Sequence, residues 1–197
     1  MKRPLAVAIT GGIGAGKSAA LRAFARLDAA TISSDEIVHR LLRDDEEVRS
    51  ALVERFGPGI VGTDGEIVRS EIARLVFADP AQLAWLEGLL HPRVSRVYLA
   101  WRDELRRRPD PPAVCVTEVP LLYEAGGEER FDAVVTITAP RDLRMQRSRV
   151  AVDERERRLL PDEEKVRRAD FSYVNDGTLD ELDAFVAGVI AKLLARA

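Results

Sequence analysis

Apolar residues recur along this chain in two rhythms. Leu5-Ala6-Val7-Ala8-Ile9-Thr10 is a nearly unbroken apolar run, the pattern of a strand buried on both faces. Ser18 to Leu27 follows a helical spacing, with Leu21, Phe24 and Leu27 on one face. A short apolar run, Ala29 to Ile32, then ends in Ser33-Ser34-Asp35, and Ile37, Val38, Leu41 and Leu42 mark a further helix. Ala113 to Val119 and Ala133 to Thr138 read as buried strands. Near the end, Leu182, Phe185, Val186, Val189, Ile190, Leu193 and Leu194 form a helical stripe within Leu179 to Leu194, predicted to pack on the sheet. Strand and helix alternate, which predicts an α/β fold: a parallel sheet with helices on both faces.

Between the second and third strands the rhythm changes. Asp45 to Arg108 is mostly helical, broken by turn signals at Phe56-Gly57-Pro58-Gly59 and Gly62-Thr63-Asp64-Gly65. Asp79-Pro80 predicts a helix start, with an N-cap acid and proline in the first position. His91-Pro92 predicts a break between that helix and another. So long a helical stretch between strands predicts a substrate-binding insertion, about 45–108, within a single domain of residues 1–197. Arg106 to Pro112 is a polar, proline-rich connector. Residues 141–168 hold nine arginines and seven acids, so a solvated helical face is one reading. Weak apolar content after Arg141 fits the other, a lid at about 141–168.

Composition narrows the class. The chain has 197 residues, 46% hydrophobic and 32% charged, enough for one real core. A net charge of −3 gives no general attraction to nucleic acid or anionic membrane. No apolar run approaches the ~20 residues of a membrane span. Met1 leads directly into the first strand without a signal-like segment, so a cytoplasmic location is expected. Cys115 is the only cysteine, which excludes an internal disulfide, and its apolar surroundings predict a small buried hydrophobe.

The chemistry is concentrated in Gly11-Gly12-Ile13-Gly14-Ala15-Gly16-Lys17-Ser18, a match to G-x-x-x-x-G-K-[ST]. It lies between a predicted strand and a predicted helix, the context this P-loop pattern requires. Glycines let successive backbone N–H groups converge on phosphate oxygens, and the helix N-terminus adds partial positive charge. Lys17 can reach the β- and γ-phosphates, and Ser18 can ligate Mg²⁺. The chain is therefore expected to bind a nucleoside triphosphate. It lacks the Asn-Lys-x-Asp segment of guanine-specific GTPases. Arginines on a lid suit phosphoryl transfer, because they neutralise charge on the moving group.

Two acids stand out. Asp35 follows the second predicted strand, and carboxyl ends of parallel strands face the ligand crevice. It can accept or orient an acceptor hydroxyl's proton, or it can simply cap the helix that begins near Glu36; local sequence favours neither. Glu118 is a lone acid at the end of an apolar strand. It is suited to a Mg²⁺-bound water, or else to a surface-facing strand end. His91-Pro92 reads equally as a helix junction, Pro120-Leu121-Leu122-Tyr123-Glu124 as a loop with buried leucines, and Tyr173-Val174-Asn175-Asp176-Gly177 as a turn.

Taken in order, these segments resemble the dephospho-CoA kinase family over nearly the whole chain. The matching features are Thr10 through Ser18, Asp35-Glu36-Ile37-Val38-His39, Arg55-Phe56-Gly57, Asp64-Gly65 with Arg69, and Leu89-Leu90-His91-Pro92. Glu118 through Glu124, Ala169-Asp170 and Asn175-x-Gly177 complete the series. The resemblance implies a P-loop NTPase-type core with a helical CoA-binding region and a lid. It implies transfer of the ATP γ-phosphoryl group to the ribose 3′-hydroxyl of dephospho-CoA, with Mg²⁺. It makes Asp35 the candidate base. Lys17 stabilises the transferring group, and Gly11 through Ala19 hold ATP, with Asn175 near the adenine. His39, Arg69, His91, Pro120, Leu121, Leu122 and Glu124 are implied on the acceptor side. Ser18 and Glu118 are the metal candidates, and Arg147 and Arg149 the lid arginines best placed for catalysis. A monomer acting on a small molecule is expected, with no nucleic-acid or membrane partner.

Three departures accompany the likeness. Ser33-Ser34-Asp35 stands where the family usually reads Asp-Ala-Asp, Ala19 replaces a second hydroxyl, and Leu159-Leu160-Pro161 occupies the place of a lid glutamine and Met-Pro-like step. The competing expectations are another P-loop kinase acting on a nucleoside or nucleotide, and a nucleotide-dependent switch without acceptor turnover.

Overall fold

The strand that opens the chain is also the centre of its sheet. The structure, a computed structural model, describes residues 3–147 and 159–196. In chain order the elements are β1 (Leu5–Thr10), α1 (Lys17–Arg26), β2 (Ala30–Ser33), α2 (Ser34–Asp44), α3 (Glu46–Phe56), α4 (Arg69–Ala78) and α5 (Pro80–Arg107). They continue with β3 (Val114–Glu118), β4 (Ala133–Thr138), α6 (Arg141–Arg147), α7 (Asp162–Arg168), β5 (Phe171–Val174) and α8 (Leu179–Arg196). Short 3₁₀ turns lie at Pro58–Ile60 and Glu128–Arg130. The five strands pair in parallel in the order β2-β3-β1-β4-β5. The predicted α/β class is thus borne out.

The chain divides into two compact units, Met1–Ser33 with Trp101–Ala197, and Ser34–Ala100. The first holds the sheet. Val7, Ile9, Val116, Val135 and Ile137 pack against Ala20, Ala23 and Phe24 of α1 and Leu182, Val186, Val189 and Leu193 of α8. Of the expected face of α1, Phe24 is core and Leu21 packs against it, while Leu27, just past the helix end, is exposed and Ala20 and Ala23 add to the contact. Small residues let α1 approach the sheet closely, and Phe24 fills the remaining space. Leu194 of α8 is likewise exposed. On the sheet's opposite face, Ala8 and Val134 meet Leu122 and Tyr123, and Ala6 and Cys115 meet Leu105.

One strand escaped the sequence pattern. Phe171–Val174 is the edge strand β5, not the lead-in to a mere turn. It alternates half-buried and exposed residues over only four positions, too short for periodicity to separate from a loop.

The second unit contains α2, α3, α4 and most of α5; the insertion expected at about 45–108 compares with its bounds of Ser34–Ala100. Asp45 caps α3, its carboxylate accepting from Val48 N at 3.0 Å. The turn at Gly62–Gly65 closes an isolated antiparallel bridge between Val61 and Ile67. Arg49 ties this turn to α2 by donating to the carbonyls of Gly65, Leu42 and Arg43. Asp79 accepts from Ala81 N at 2.8 Å where α5 begins, as its Asp-Pro signal predicts.

The break expected at His91-Pro92 is absent. α5 runs through Pro92 without interruption. Proline removes a hydrogen bond and crowds the carbonyl four residues back, here that of Gly88, whose missing side chain leaves the backbone free to adjust. The Arg93 guanidinium donates to the next carbonyl along, that of Leu89, at 3.0 Å.

Candidate nucleotide-binding site

β1 ends at Thr10, and the six residues Gly11 to Gly16 carry the chain to α1 at Lys17. The backbone of Gly16 adopts φ 100°, a left-handed value that glycine tolerates and other residues rarely do. A side chain there would also overlap the Asn175 amide. That amide donates to the Ala15 carbonyl at 2.9 Å. Asn175 is in turn held by its backbone N–H, which donates to Thr138 O at 2.7 Å. Its own carbonyl accepts from Arg147 Nη1 at 2.9 Å. The residue that follows the unforeseen strand β5 is therefore built into the wall of the glycine loop, and Arg147 joins it there.

Lys17 Nζ donates to the Gly12 carbonyl at 2.9 Å, so the side chain folds back along its own loop. Ser18 Oγ donates toward Glu118, with its two carboxylate oxygens 3.3 and 3.4 Å away. Register explains the meeting. Glu118, the last residue of β3, pairs with Ile9 of β1 on one side and Ser33 of β2 on the other. The carboxyl ends of the three strands thus form one row, next to the loop that follows β1. Glu118 is only 3% exposed. Ser33 brings no second charge beside it, which spares the row a like-charge repulsion. A hydroxyl and a carboxylate offer hard oxygen ligands that fit Mg²⁺, which takes most of its remaining ligands from water and phosphate. Among the described residues no group of three or more His, Cys, Asp or Glu could hold a metal by itself.

The segment after β3 is anchored at both ends. Val119 N donates to Ile9 O at 2.8 Å, and the Thr10 hydroxyl donates to Pro120 O at 3.2 Å. Leu121 is half-buried, while Leu122 and Tyr123 are buried. Burial pushes the Tyr123 phenol pKa up, and Arg168 lies over its ring at 4.4 Å. Glu124 reaches Lys165 of α7, with 2.9 Å between Oε1 and Nζ, and accepts from Leu160 N at 3.0 Å. Lys165 is completely buried.

Sequence reasoning missed three side chains. Arg144 of α6 is buried, and its guanidinium lies against Gly12 together with the carboxylate of Asp162 from α7. Lys165 is the third. None has a sequence signal, because each sits in a stretch whose charges read as a solvated face. Asp35, His39 and Arg69 belong to the second unit and are exposed, with Asp35 in the first turn of α2; His91, on α5, is half-buried. Arg149 lies outside the described residues. A cavity of about 350 Å³ lies elsewhere, lined by Leu27, Pro111, Pro112, Ile190 and Leu194 among others. It sits where β2 and β3 begin, at the amino ends of the strands, whereas the glycine loop follows the carboxyl end of β1.

Comparison with known proteins points to one family. A sequence model of the dephospho-CoA kinase family matches residues 5–181. A dephospho-CoA kinase from Chlorobaculum tepidum is 34% identical over 203 residues, covering 97% of this chain and 96% of that protein. A crystal structure from Thermus thermophilus superposes with a TM-score of 0.76 at 33% identity, covering 98% of this chain and 99% of the other. A dephospho-CoA kinase from Campylobacter jejuni shares the fold, with a TM-score of 0.70 at 24% identity over 95% of this chain and 96% of its own.

Proposed function

The chain belongs to the dephospho-CoA kinase family, and on that premise we propose that it transfers the γ-phosphoryl group of ATP to the ribose 3′-hydroxyl of dephospho-CoA, yielding CoA and ADP. The observation that carries the reading is the meeting of Ser18 and Glu118 where β1 and β3 end, beside the glycine loop along which Lys17 lies.

The backbone N–H groups from Gly12 to Ser18 gather the phosphates at the start of α1. Lys17 exchanges the Gly12 carbonyl for phosphate oxygens and stabilises charge on the group in transfer. Ser18 and Glu118 would hold Mg²⁺, Glu118 through water, and the ion would supply neutralisation of phosphate charge. Asn175, fixed to the loop wall, lies on the adenine side, and Arg147, bonded to the Asn175 carbonyl at rest, is the described lid arginine assigned to the transferring group. Asp35 follows the carboxyl end of β2 and accepts the 3′-hydroxyl proton as the oxygen attacks phosphorus. The leaving ADP retains the bridging oxygen. His39, Arg69, His91, Pro120, Leu121 and Leu122 serve the acceptor. Glu124 serves it too: its Oε1 is committed to Lys165 and Leu160, while its buried Oε2 has no hydrogen-bond partner among the described residues. No described helix is long and apolar enough to cross a membrane; we place the enzyme in the cytoplasm, as a monomer.

The test is ADP release measured with ATP and Mg²⁺, with and without dephospho-CoA, and with nucleosides as alternative acceptors. Release that depends on dephospho-CoA alone is expected. Equal release with a nucleoside would make it a nucleoside kinase, and release that ignores every acceptor would make it a nucleotide switch.

A further inference from the structure

A methyl group built on Gly12 would lie 2.5 Å from Arg144 Nη1, and 3.3 and 3.5 Å from the two Asp162 carboxylate oxygens. Arg144 and Asp162 are themselves an ion pair, 3.8 Å apart, with side chains 11% and 26% exposed. They arrive from α6 and α7 and meet on a loop whose backbone N–H groups and helix terminus attract anions. An acid at that loop is already an anion in the loop's field. An arginine beside it is the side chain best shaped to grip a phosphate through two parallel N–H donors.

We infer that Asp162 is an internal stand-in for phosphate: its carboxylate is the resting counter-ion of Arg144 at Gly12, and the polyphosphate of the nucleotide displaces it and takes over the guanidinium. Arg144 is thereby a phosphate-contacting residue, and Asp162 a competitor that ATP must outbid. The inference rests on the reading that Gly11 to Ser18 hold the phosphates.

Several observations support this pairing. Arg144 is fixed from behind: its backbone N–H donates to Pro140 O at 3.0 Å, and its carbonyl lies against Gly14, where a side chain would meet it at 2.5 Å. The helix thus presents Arg144 to the loop at a fixed point. Arg147, three residues on, is directed to the Asn175 carbonyl instead. Of these two arginines, Arg144 is the one whose guanidinium stands at Gly12. Asp162 stands one turn before Lys165, whose complete burial against Glu124 sets the position of α7. The carboxylate is held at the loop by that anchor, so its presence there is not a free swing of an exposed side chain. A phosphate chain carries more charge than one carboxylate and offers more acceptors, so the exchange favours the nucleotide.

The prediction has an unusual sign. Removing a native charge tightens ligand binding. Asp162→Asn keeps the size, and should strengthen ATP binding about three- to tenfold, with a smaller gain for ADP and none for adenosine. Arg144→Gln should weaken ATP binding by at least about tenfold. In the double variant the gain from Asp162→Asn should vanish, because the competed partner is gone. Isothermal titration of the purified full chain with ATP, ADP and adenosine reads all of these, with a thermal melt of each variant alongside. Weaker or unchanged ATP binding by a folded Asp162→Asn overturns the inference, as does a gain that persists without Arg144. Asp162→Ser serves as a second variant with the same expected sign. Lys17→Ala in the same titration separates the two levels: if it binds ATP as the wild type does, the P-loop reading itself fails. Loss of binding there with no gain from Asp162→Asn removes only the counter-ion exchange.

Discussion

The amide of Asn175 donates to the carbonyl of Ala15 at 2.9 Å, joining residues 160 positions apart in the chain. This bond closes the space beside Gly16 and couples the end of β5 to the glycine loop after β1. The edge strand of the sheet thereby shapes the nucleotide site at its centre.

Gly16→Ala tests that closure. Alanine would enter a left-handed conformation at a cost of about 1–2 kcal/mol and collide with the Asn175 amide. ATP affinity should fall by at least about tenfold, the equivalent of about 1.4 kcal/mol. Titration of the variant with ATP measures this, and wild-type affinity would show that the loop has room to spare.

Lys17→Ala removes the positive charge next to the transferring group. Losing one such electrostatic contact costs roughly 3–4 kcal/mol, or ~10²–10³ in kcat. Steady-state turnover with dephospho-CoA gives the answer. A rate within threefold of wild type would refute the role assigned to this lysine.

Asp35→Asn separates base from helix-terminus charge. Asp35 lies inside the first turn of α2, not at the cap expected from sequence; losing its charge there costs at most about 0.3–1 kcal/mol, so the melting temperature and ATP affinity should nearly hold. Loss of a general base lowers the rate by ~10²–10⁴, and Ser33 offers no neighbouring carboxylate to take over. Early melting with normal turnover would make Asp35 a structural residue.

Lys165→Met leaves Glu124 without its cation. Removing one partner of a buried pair costs about 3–5 kcal/mol, which for a chain of this size lowers the melting temperature by about 6–20 °C. Adding Glu124→Gln should recover part of the loss, because the stranded charge disappears. A single variant that melts within two or so degrees of wild type would show the pair to be solvated.

Cys115 makes stability depend on pH in the alkaline range. Burial pushes its thiol from 9.0 to about 11. The folded chain then keeps a proton that the unfolded chain has lost. The contribution is complete below about pH 9 and is lost as pH rises to about 11, a fall of about 2–3 kcal/mol. Urea unfolding of the wild type and Cys115→Ala at pH 8 and pH 10.5 isolates the term. Equal pH dependence in both would assign the alkaline loss to other groups.

Much of this protein is written locally. The run Leu5–Thr10, the glycine loop and the helical spacing behind it specify a strand, an anion cradle and a helix without reference to distant residues. Hydrogen bonding and φ freedom act over a few positions, so sequence suffices there. The burial of Cys115 and the strand ending in Glu118 are legible for the same reason: an unbroken apolar run has nowhere to go but the interior of a sheet.

Distant encounters are decided differently. β5 has four residues and gains its identity by pairing with β4. α5 passes through Pro92 where Gly88, four residues back, leaves the backbone free to adjust, an accommodation no single residue announces. Arg144, Asp162 and Lys165 look like members of a solvated charged stretch. Lys165 is one of only four lysines in a chain with thirty basic residues, yet nothing next to it in sequence says that it is buried. Charge is cheap in water and costly inside, and which side chains lose their water depends on how α6 and α7 pack against the loop and sheet. The sequence by itself determined the cradle; tertiary packing decided which charges stand over it.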